Sequence, residues 1–341
     1  MKAIKVALIG NGHDHAPWNY YAIKRHPEIF DLIGVCDLIP GKDEKIYAGE
    51  KRFSLEELLE NDLLDAVIIE SGKESEVYYA QKFALKAVPV FLDKPGSSNY
   101  DEYEKLLAIV KEKNLPFGLG YVYRFNPMVK KALEMQKNGM LGSVFSVEAQ
   151  MSVYHNKTKR QWLKKYKGGM MFYLGCHLID AVCMFKGFPE EIIPLNACSG
   201  NDGIDCEDIG CAVLKYSDGP SFIKACASEV NGYARRQIVV TGTRGTVEIS
   251  PPEEHCESDG GEEDLVARAV ITIGSSDNKQ WGNSGVNEVS EPFARYAPML
   301  IQFARQVRGE EGYVMPLDYE LKLMRTLVAA CGAENETYRG R

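Results

Sequence analysis

Ile4-Lys5-Val6-Ala7-Leu8-Ile9-Gly10-Asn11-Gly12-His13-Asp14-His15 is the stretch whose reading decides the fold. A short apolar run breaks at two glycines and gives way to an amphipathic segment, so a buried strand turns sharply into a helix. In a G-x-G-x-x-G junction the first glycine makes the turn, and the second lets the backbone approach a pyrophosphate held at a helix N-terminus. Gly10 and Gly12 meet both needs, with Asn11 between them; the third position, where glycine permits close packing of helix on strand, is His15. Asp37 follows 22 residues after His15, at the end of the next apolar run. A carboxylate there accepts from a ribose 2′-hydroxyl and repels a 2′-phosphate, which favours NAD over NADP. Lys42, five residues on, softens that preference and leaves NADP possible. The plainer reading of the same residues is a turn that merely needs its glycines.

Working outward, apolar runs recur at Ile4–Ile9, Leu32–Cys36, Asp65–Ile69, Val88–Leu92 and Phe117–Leu119, separated by amphipathic segments. Ser54-Leu55-Glu56-Glu57 has the pattern in which hydroxyl and carboxylate cap a helix start reciprocally, and Asn99 with Glu102 resembles it. Strand, helix, strand at this rhythm predicts right-handed crossovers and a parallel, doubly wound α/β sheet. Beyond Tyr121 the texture changes. Asn126-Pro127 opens a helix that Asn138-Gly139 closes. Seven β-type runs follow, at Val144–Val153, Ile192–Cys198, Gly210–Tyr216, Ser221–Glu229, Gln237–Thr241, Thr246–Ile249 and Leu265–Ile273. Helical stretches interrupt them at Gly169–Phe185 and close the chain at Tyr296–Arg308 and Asp318–Tyr338. The expected architecture is a nucleotide-binding α/β domain over 1–122 and an α+β domain over 123–341 with a large, mostly antiparallel open-faced sheet, its last helix a candidate to pack back on the first domain.

The size of the chain, 341 residues, suits two such domains. A net charge of -8 with no segregated basic stretch speaks against nucleic acid. No run approaches the roughly 18 apolar residues of a membrane helix, and the opening strand leaves no room for a signal peptide, so membrane association is not expected. Nine cysteines without a C-x-x-C pair read as buried thiols of a reducing, cytoplasmic compartment.

Several side chains are candidates for chemistry. His13-Asp14-His15 invites a metal, but residues two apart at a helix start diverge, so no metal is expected. Contact with cofactor or substrate, or helix entry, suits these histidines better. Asp93-Lys94-Pro95 falls at the carboxyl end of a strand, the edge where parallel sheets bind ligands. A lysine beside a cationic nicotinamide can exchange a proton with a substrate hydroxyl. Within Gly168 to Asp180, Tyr173, His177 and Asp180 are spaced to share a helix face, forming either a buried polar cluster or a site. The acidic stretch Glu253 to Asp264, seven carboxylates in twelve residues, lacks calcium-loop spacing and reads as a solvated hairpin tip.

Taken together these markers resemble the Gfo/Idh/MocA family, the glucose-fructose oxidoreductase and inositol dehydrogenase group. They are Gly10-Asn11-Gly12 with Val35-Cys36-Asp37; Asp93-Lys94-Pro95 where the family has E-K-P; Gly120 to Pro127; Gly168-Gly169 to Asp180; and Gly242-Thr243-Arg244-Gly245-Thr246. The resemblance spans essentially the whole chain. It implies a Rossmann domain, a second domain whose sheet mediates homodimers or homotetramers, and hydride exchange between NAD(P) and a sugar, polyol or related substrate. By position it implies Lys94 and His177 as proton-handling residues, with Asp180 orienting the histidine or holding substrate hydroxyls. Tyr121, Tyr123 and Arg124 take the segment crossing from cofactor to substrate, and Trp162 and Tyr173 join the substrate side. Gly10, Asn11, Gly12, His13, His15, Asp37, Ser71 and Lys94 form the cofactor side. There are departures: Tyr173 replaces an aspartate used in proton relay, Trp162-Leu163 replaces W-R, and Glu70-Ser71-Gly72-Lys73-Glu74-Ser75-Glu76 keeps only Ser71 of the expected loop. A phenol with pKa near 10 is a poor base. Two other readings follow from the same resemblance: a glycosidase working by transient oxidation, and a dinucleotide-binding regulator without catalysis.

Overall fold

The computed structural model describes residues 2–43, 45–256, 265–274 and 285–333. The chain divides into two compact units, Met1–Tyr121 with Tyr296–Leu321, and Val122–Arg295 with Lys322–Arg341. Residues 296–321 thus belong with the first unit, whereas sequence reading kept 123–341 together and allowed only the last helix to return.

The first unit runs β1 (Ile4–Ile9), α1 (Ala16–Arg25), β2 (Phe30–Cys36), β3 (Arg52–Phe53), α2 (Leu55–Leu59), β4 (Ala66–Ile69), α3 (Glu76–Leu85), β5 (Val90–Leu92), α4 (Tyr100–Glu112) and β6 (Phe117–Leu119). All pairs are parallel, in the order β3-β2-β1-β4-β5-β6. This is the doubly wound order, and it sets the crevice where the winding reverses, beside β1 and β4 at their carboxyl ends. β4 and β5 are buried throughout, as strands covered on both faces must be. Ser54 and Glu57 make the reciprocal cap at α2, and the Asn99 side chain accepts from the Glu102 amide at α4. β3 carries no signal in the sequence because two residues cannot display a period.

The second unit runs α5 (Pro127–Lys137), β7 (Val144–Gln150), α6 (Lys157–Leu163), a π-helical turn (Met171–Gly175), α7 (Cys176–Lys186), β8 (Glu191–Pro194), β9 (Ile209–Lys215), β10 (Ser221–Cys226), β11 (Gln237–Gly242), β12 (Gly245–Ile249), β13 (Glu254–His255), β14 (Leu265–Val266), β15 (Arg268–Ile273) and β16 (Val286–Val289). Asn126 caps α5 by accepting from the Met128 and Val129 amides, with Pro127 in the first turn. Eight strands form one sheet, β16-β15-β12-β11-β7-β10-β9-β8, antiparallel except for β7 with β10. Its register lays Ala212, Ile223, Ala149, Ile238, Ile249 and Ala269 in one buried row. Alternation turns the adjacent row, Val213, Phe222, Glu148, Val239, Glu248 and Val270, to the other face, where Phe222 is exposed. The expected α/β fold, parallel sheet first and open-faced mostly antiparallel sheet second, is the fold observed.

The chain then forms α8 (Ala297–Val307) in the first unit and α9 (Leu317–Ala330), within which the division falls. α8 packs against α1 and β6, with Phe303 5.6 Å from Phe91 between ring centroids. Tyr313 Oη donates to Leu115 O at 2.8 Å. None of the nine cysteines is in a disulfide, but Cys198 is exposed, so the expected burial of all nine thiols does not hold. Among the described residues no helix is long and apolar enough to cross a membrane. Of the acidic stretch, residues 257–264 lie outside the described residues.

Candidate functional site

In the first unit the turn after β1 presses against the loop after β4. A side chain at Gly12 would come within 2.6 Å of Gly72 N, so the close approach requires glycine there. Asn11 is buried, donating to Lys42 O at 2.7 Å and accepting from the Ile39 amide at 2.7 Å. It ties the loop after β2 to the glycine turn. Lys42 Nζ donates to Gly12 O at 2.9 Å, so this cation is engaged on the turn itself. Asp37 sits exposed just past β2, at φ 51°. Ser71 is buried directly after β4. A dinucleotide fits these residues: the glycine turn lies at the switch point, and an exposed carboxylate stands at the next strand end.

His13 and His15 do not diverge as expected. Both precede α1, and their rings lie 4.5 Å apart, edge to face. They converge on Asp93: His15 Nδ1 is 2.8 Å from Oδ1 and His13 Nδ1 3.0 Å from Oδ2. Lys73 Nζ donates to the same Oδ2 at 2.7 Å and to Glu76 Oε1 at 2.5 Å. Nearby, Asn19 Nδ2 donates to Glu70 Oε1 at 2.5 Å. Apart from His15, whose side chain is 10% exposed, these groups are sealed from solvent. Gly120 completes the enclosure, since a Cβ there would lie 2.9 Å from Asp93 Oδ1. The two Nδ1 atoms and an Asp93 oxygen fall within 4.8 Å of one another, close enough to share a metal. Lys73 already places a positive charge on that carboxylate, however, and repels a second cation.

Burial sets the protonation of this cluster. Desolvation pushes the His13 imidazole well below its usual range and keeps it neutral. Burial opposes ionisation of Asp93, but His13, Lys73 and His15 outweigh it and hold the carboxyl well below the usual carboxylate range. Glu76 is pushed up to about 8 by burial, with Lys73 opposing, and burial also raises Glu70. Lys94 follows Asp93 and is fully buried.

In the second unit Tyr123, Arg124, His177 and Asp180 come together. Arg124 donates from Nε and Nη2 to the two oxygens of Asp180, both at 2.9 Å. Each carboxylate oxygen thus accepts one bond from Arg124, a partner for Asp180 that the sequence reading did not assign. Tyr123 packs edge-on against His177, 5.6 Å between centroids, and its hydroxyl donates to Glu253 at 3.2 Å. Glu253, expected in a solvated tip, is 2% exposed and paired with Arg236 at 2.5 Å and Arg295 at 3.0 Å. Tyr173 lies in the π-helical turn that runs directly into α7, where the wider turn shifts it from the α-helical phase of His177 and Asp180. It meets Trp162 at 5.4 Å and His155 at 5.9 Å. Lys159 Nζ stands 3.8 Å from the Trp162 ring centre and 4.3 Å from that of Tyr173. Tyr121, which sequence reading grouped with Tyr123 and Arg124, is the last residue of the first unit's main segment.

Sequence reasoning missed Lys73, Glu76, Glu253 and Lys159. An i, i+3 pair of opposite charge at Lys73 and Glu76, and a lysine three residues before Trp162, were the available signals.

Fold and site define a dinucleotide-binding α/β protein carrying a second, sheet-based unit. The particular kinship is equally plain: the chain belongs to the Gfo/Idh/MocA family, its residues 4–121 matching the oxidoreductase family's NAD-binding Rossmann fold and residues 129–248 the GFO/IDH/MocA C-terminal domain. It is similar to 2,7-anhydro-N-acetylneuraminate hydratase of Escherichia coli, 25% identical over 59% of this chain and 55% of that protein. It is similar to D-xylose 1-dehydrogenase (NADP(+)) 2 of Haloferax volcanii, 24% identical over 81% of this chain and 80% of that protein. Matches to two of the curated relatives span only 62% and 55% of their length. The solved aldose-aldose oxidoreductase of Caulobacter crescentus shares the fold, with TM-score 0.77, 19% identity and 97% coverage of both chains.

Proposed function

We propose that the protein is an NAD(P)-dependent oxidoreductase that moves a hydride between a carbinol carbon of a sugar, polyol or sugar derivative and the nicotinamide. The observation that carries this reading is the first unit's edge: Gly10 and Gly12 at the switch point, exposed Asp37, and Asp93-Lys94 closing β5. When bound, NAD(P) supplies the hydride acceptor. The turn at Gly10 to Gly12, with Asn11, holds its pyrophosphate, Asp37 its adenosine ribose and Ser71 its nicotinamide ribose. The name of the Haloferax volcanii relative supports a sugar substrate.

Lys94 and His177 handle the carbinol proton. Lys94 is buried directly after β5, at the strand edge where parallel sheets bind ligands, which puts its amine in reach of a substrate hydroxyl beside the nicotinamide. His177 is held edge-on by Tyr123 in an apolar helix, which fixes its ring. Trp162 and Tyr173 offer aromatic faces to the sugar. Arg124 acts through Asp180 as a fixed strut of this wall. The outward row of the eight-stranded sheet, apolar at Val213, Phe222, Val239 and Val270, suits pairing with a second copy into a homodimer or homotetramer. The protein is expected in the cytoplasm.

The test is an NADH-fluorescence screen of the purified protein against sugars, polyols and inositols, with NAD and NADP in parallel. Substrate-dependent NADH formation supports the reading; no turnover on any of them would move weight to a regulator. The hydratase relative favours a second reading, in which oxidation at a sugar carbon, elimination and re-reduction leave no net NADH. Consumption of a glycoside without NADH accumulation would select it.

A further inference from the structure

We propose that Lys42 is a specificity residue of the cofactor site: its ammonium serves the pyrophosphate end of the dinucleotide and is withheld from the adenosine ribose, so that the protein selects NAD(H) over NADP(H). This deepens the oxidoreductase reading and rests on its dinucleotide site. In sequence Lys42, five residues past Asp37, reads as a cation for a 2′-phosphate. The fold sends it elsewhere. Lys42 Nζ donates to Gly12 O at 2.9 Å, on the turn after β1. The backbone of the same loop is clasped by the buried Asn11 side chain, which donates to Lys42 O and accepts from the Ile39 amide, both at 2.7 Å. Three bonds thus bind residues 39–42 to the glycine turn, and the lysine is pinned by its main chain as well as by its ammonium.

This turn has a use for a cation. A pyrophosphate at such a junction is ordinarily met by backbone amides of the glycine turn and of the first helical turn. Here several of those donors are committed within the protein. The Gly10 amide donates to Cys36 O at 2.8 Å, that of His13 to Glu70 O at 3.0 Å and that of Ala16 to His13 O at 3.3 Å. The His15 amide donates to His13 Nδ1 at 3.2 Å, and Pro17, in the first turn of α1, has no N–H to give. Lys42 supplies positive charge where these amides do not. An ammonium on Gly12 O lies well inside the Debye length, roughly 8 Å at physiological ionic strength, of an anion seated on that turn. Asp37 works in the same direction from the other end. It stands exposed at φ 51°, a left-handed conformation that aspartate tolerates, where its carboxylate accepts from a 2′-hydroxyl and repels a 2′-phosphate. To answer a 2′-phosphate beside Asp37, Lys42 would have to give up its charge-assisted bond to Gly12 O and take its charge off the turn.

The experiment measures binding and needs no substrate. NADH and NADPH are titrated by fluorescence, and ADP-ribose, which carries the pyrophosphate without the nicotinamide, by calorimetry. The parent should bind NADH at least about tenfold more tightly than NADPH; equal or inverted affinities overturn the proposal without recourse to any variant. Lys42→Met keeps the apolar stem and removes the charge. It should weaken NADH, NADPH and ADP-ribose alike, each by about tenfold, the scale of a lost hydrogen bond to a charged group, and Lys42→Arg should recover most of that loss. A loss confined to NADPH, or no loss at all, overturns the assignment. The gap between parent and Lys42→Met should also narrow as ionic strength rises from about 0.1 M to about 1 M and the Debye length falls from about 10 Å to about 3 Å. A gap indifferent to salt marks a merely structural lysine and overturns it too. In an Asp37→Ala background, where NADPH should approach NADH in affinity, Lys42→Met should still lower both together. Selective loss of NADPH there would mean that the lysine reaches the 2′-phosphate after all. A parent that binds none of the three probes overturns the dinucleotide site and this role with it. If binding follows the expected pattern while no sugar or polyol is turned over, Lys42 keeps its role and the oxidoreductase reading fails.

Discussion

Arg124 and Asp180 face each other as a buried fork, Nε to Oδ2 and Nη2 to Oδ1, both at 2.9 Å, with neither side chain more than 2% exposed. A pair so enclosed stabilises little relative to apolar residues but is costly to break, because the survivor is left as an uncompensated buried charge. Asp180→Ala and Arg124→Ala should each destabilise the second unit by about 3–5 kcal/mol, measured by urea unfolding. Asp180→Asn, which keeps an acceptor, should cost less. If the alanine variants unfold at the parent's midpoint, the pair is not a strut.

Glu253 has the opposite chemistry from its exposed neighbours in sequence. Burial opposes its ionisation, but Arg295, Arg236 and the Tyr123 hydroxyl outweigh that cost and hold its carboxyl below the usual range. A depressed folded pKa means stability that is present above the unfolded value and lost as pH falls through the folded one. The second unit should therefore lose melting temperature steadily below about pH 4.5, near the reference value for glutamate. Glu253→Gln should melt lower at pH 7 and show a flatter acid limb in scanning calorimetry. A variant with the parent's acid profile would contradict this account.

Much of this was legible in the sequence, and the rest was hidden for identifiable reasons. Strands β1, β6 and β12 announce themselves by apolar runs between turn residues, and the Ser54 cap by its spacing, because those signals are local. His15 and Asp93 are 78 residues apart, and nothing in either segment alone says that one carboxylate will gather two histidines and a lysine. Glu253 reads as the first acid of an acidic run, since charge density is visible in sequence and the facing arginines, from Arg236 and Arg295, are not. The π-helical turn at Met171–Gly175 escapes a periodic reading because one extra residue in a turn shifts the phase without changing composition.

Lys94 separates an enzyme from a sensor. It follows Asp93 at the end of β5 and is fully buried. Lys94→Ala should abolish turnover in the NADH assay, with a fall of at least about 10² in kcat, while NADH affinity measured by fluorescence titration stays within a few fold. A variant with parent-like turnover would remove Lys94 from the chemistry.

Glu76 predicts an alkaline weakness that mirrors the acid one at Glu253. Burial pushes its carboxyl up to about 8, with Lys73 opposing. A group whose folded pKa is raised contributes stability fully present below the unfolded value, about 4.3 for glutamate, and lost as pH rises through the folded value. The melting temperature of the first unit should accordingly fall by several degrees between about pH 6 and about pH 8, where exposed carboxylates no longer titrate, and level off above that. Glu76→Gln keeps a carbonyl oxygen to accept from Lys73 Nζ, which Oε1 now does at 2.5 Å, but has no proton to lose. Its melting temperature should vary much less over that interval, as followed by circular dichroism at several pH values. Lys73 titrates higher, since Asp93 and Glu76 together outweigh its desolvation and raise it, so it does not confuse the window. If parent and variant fall together, the alkaline limb belongs to another buried acid of the cluster, Glu70 being the one that burial also raises. The double variant with Glu70→Gln then decides between them.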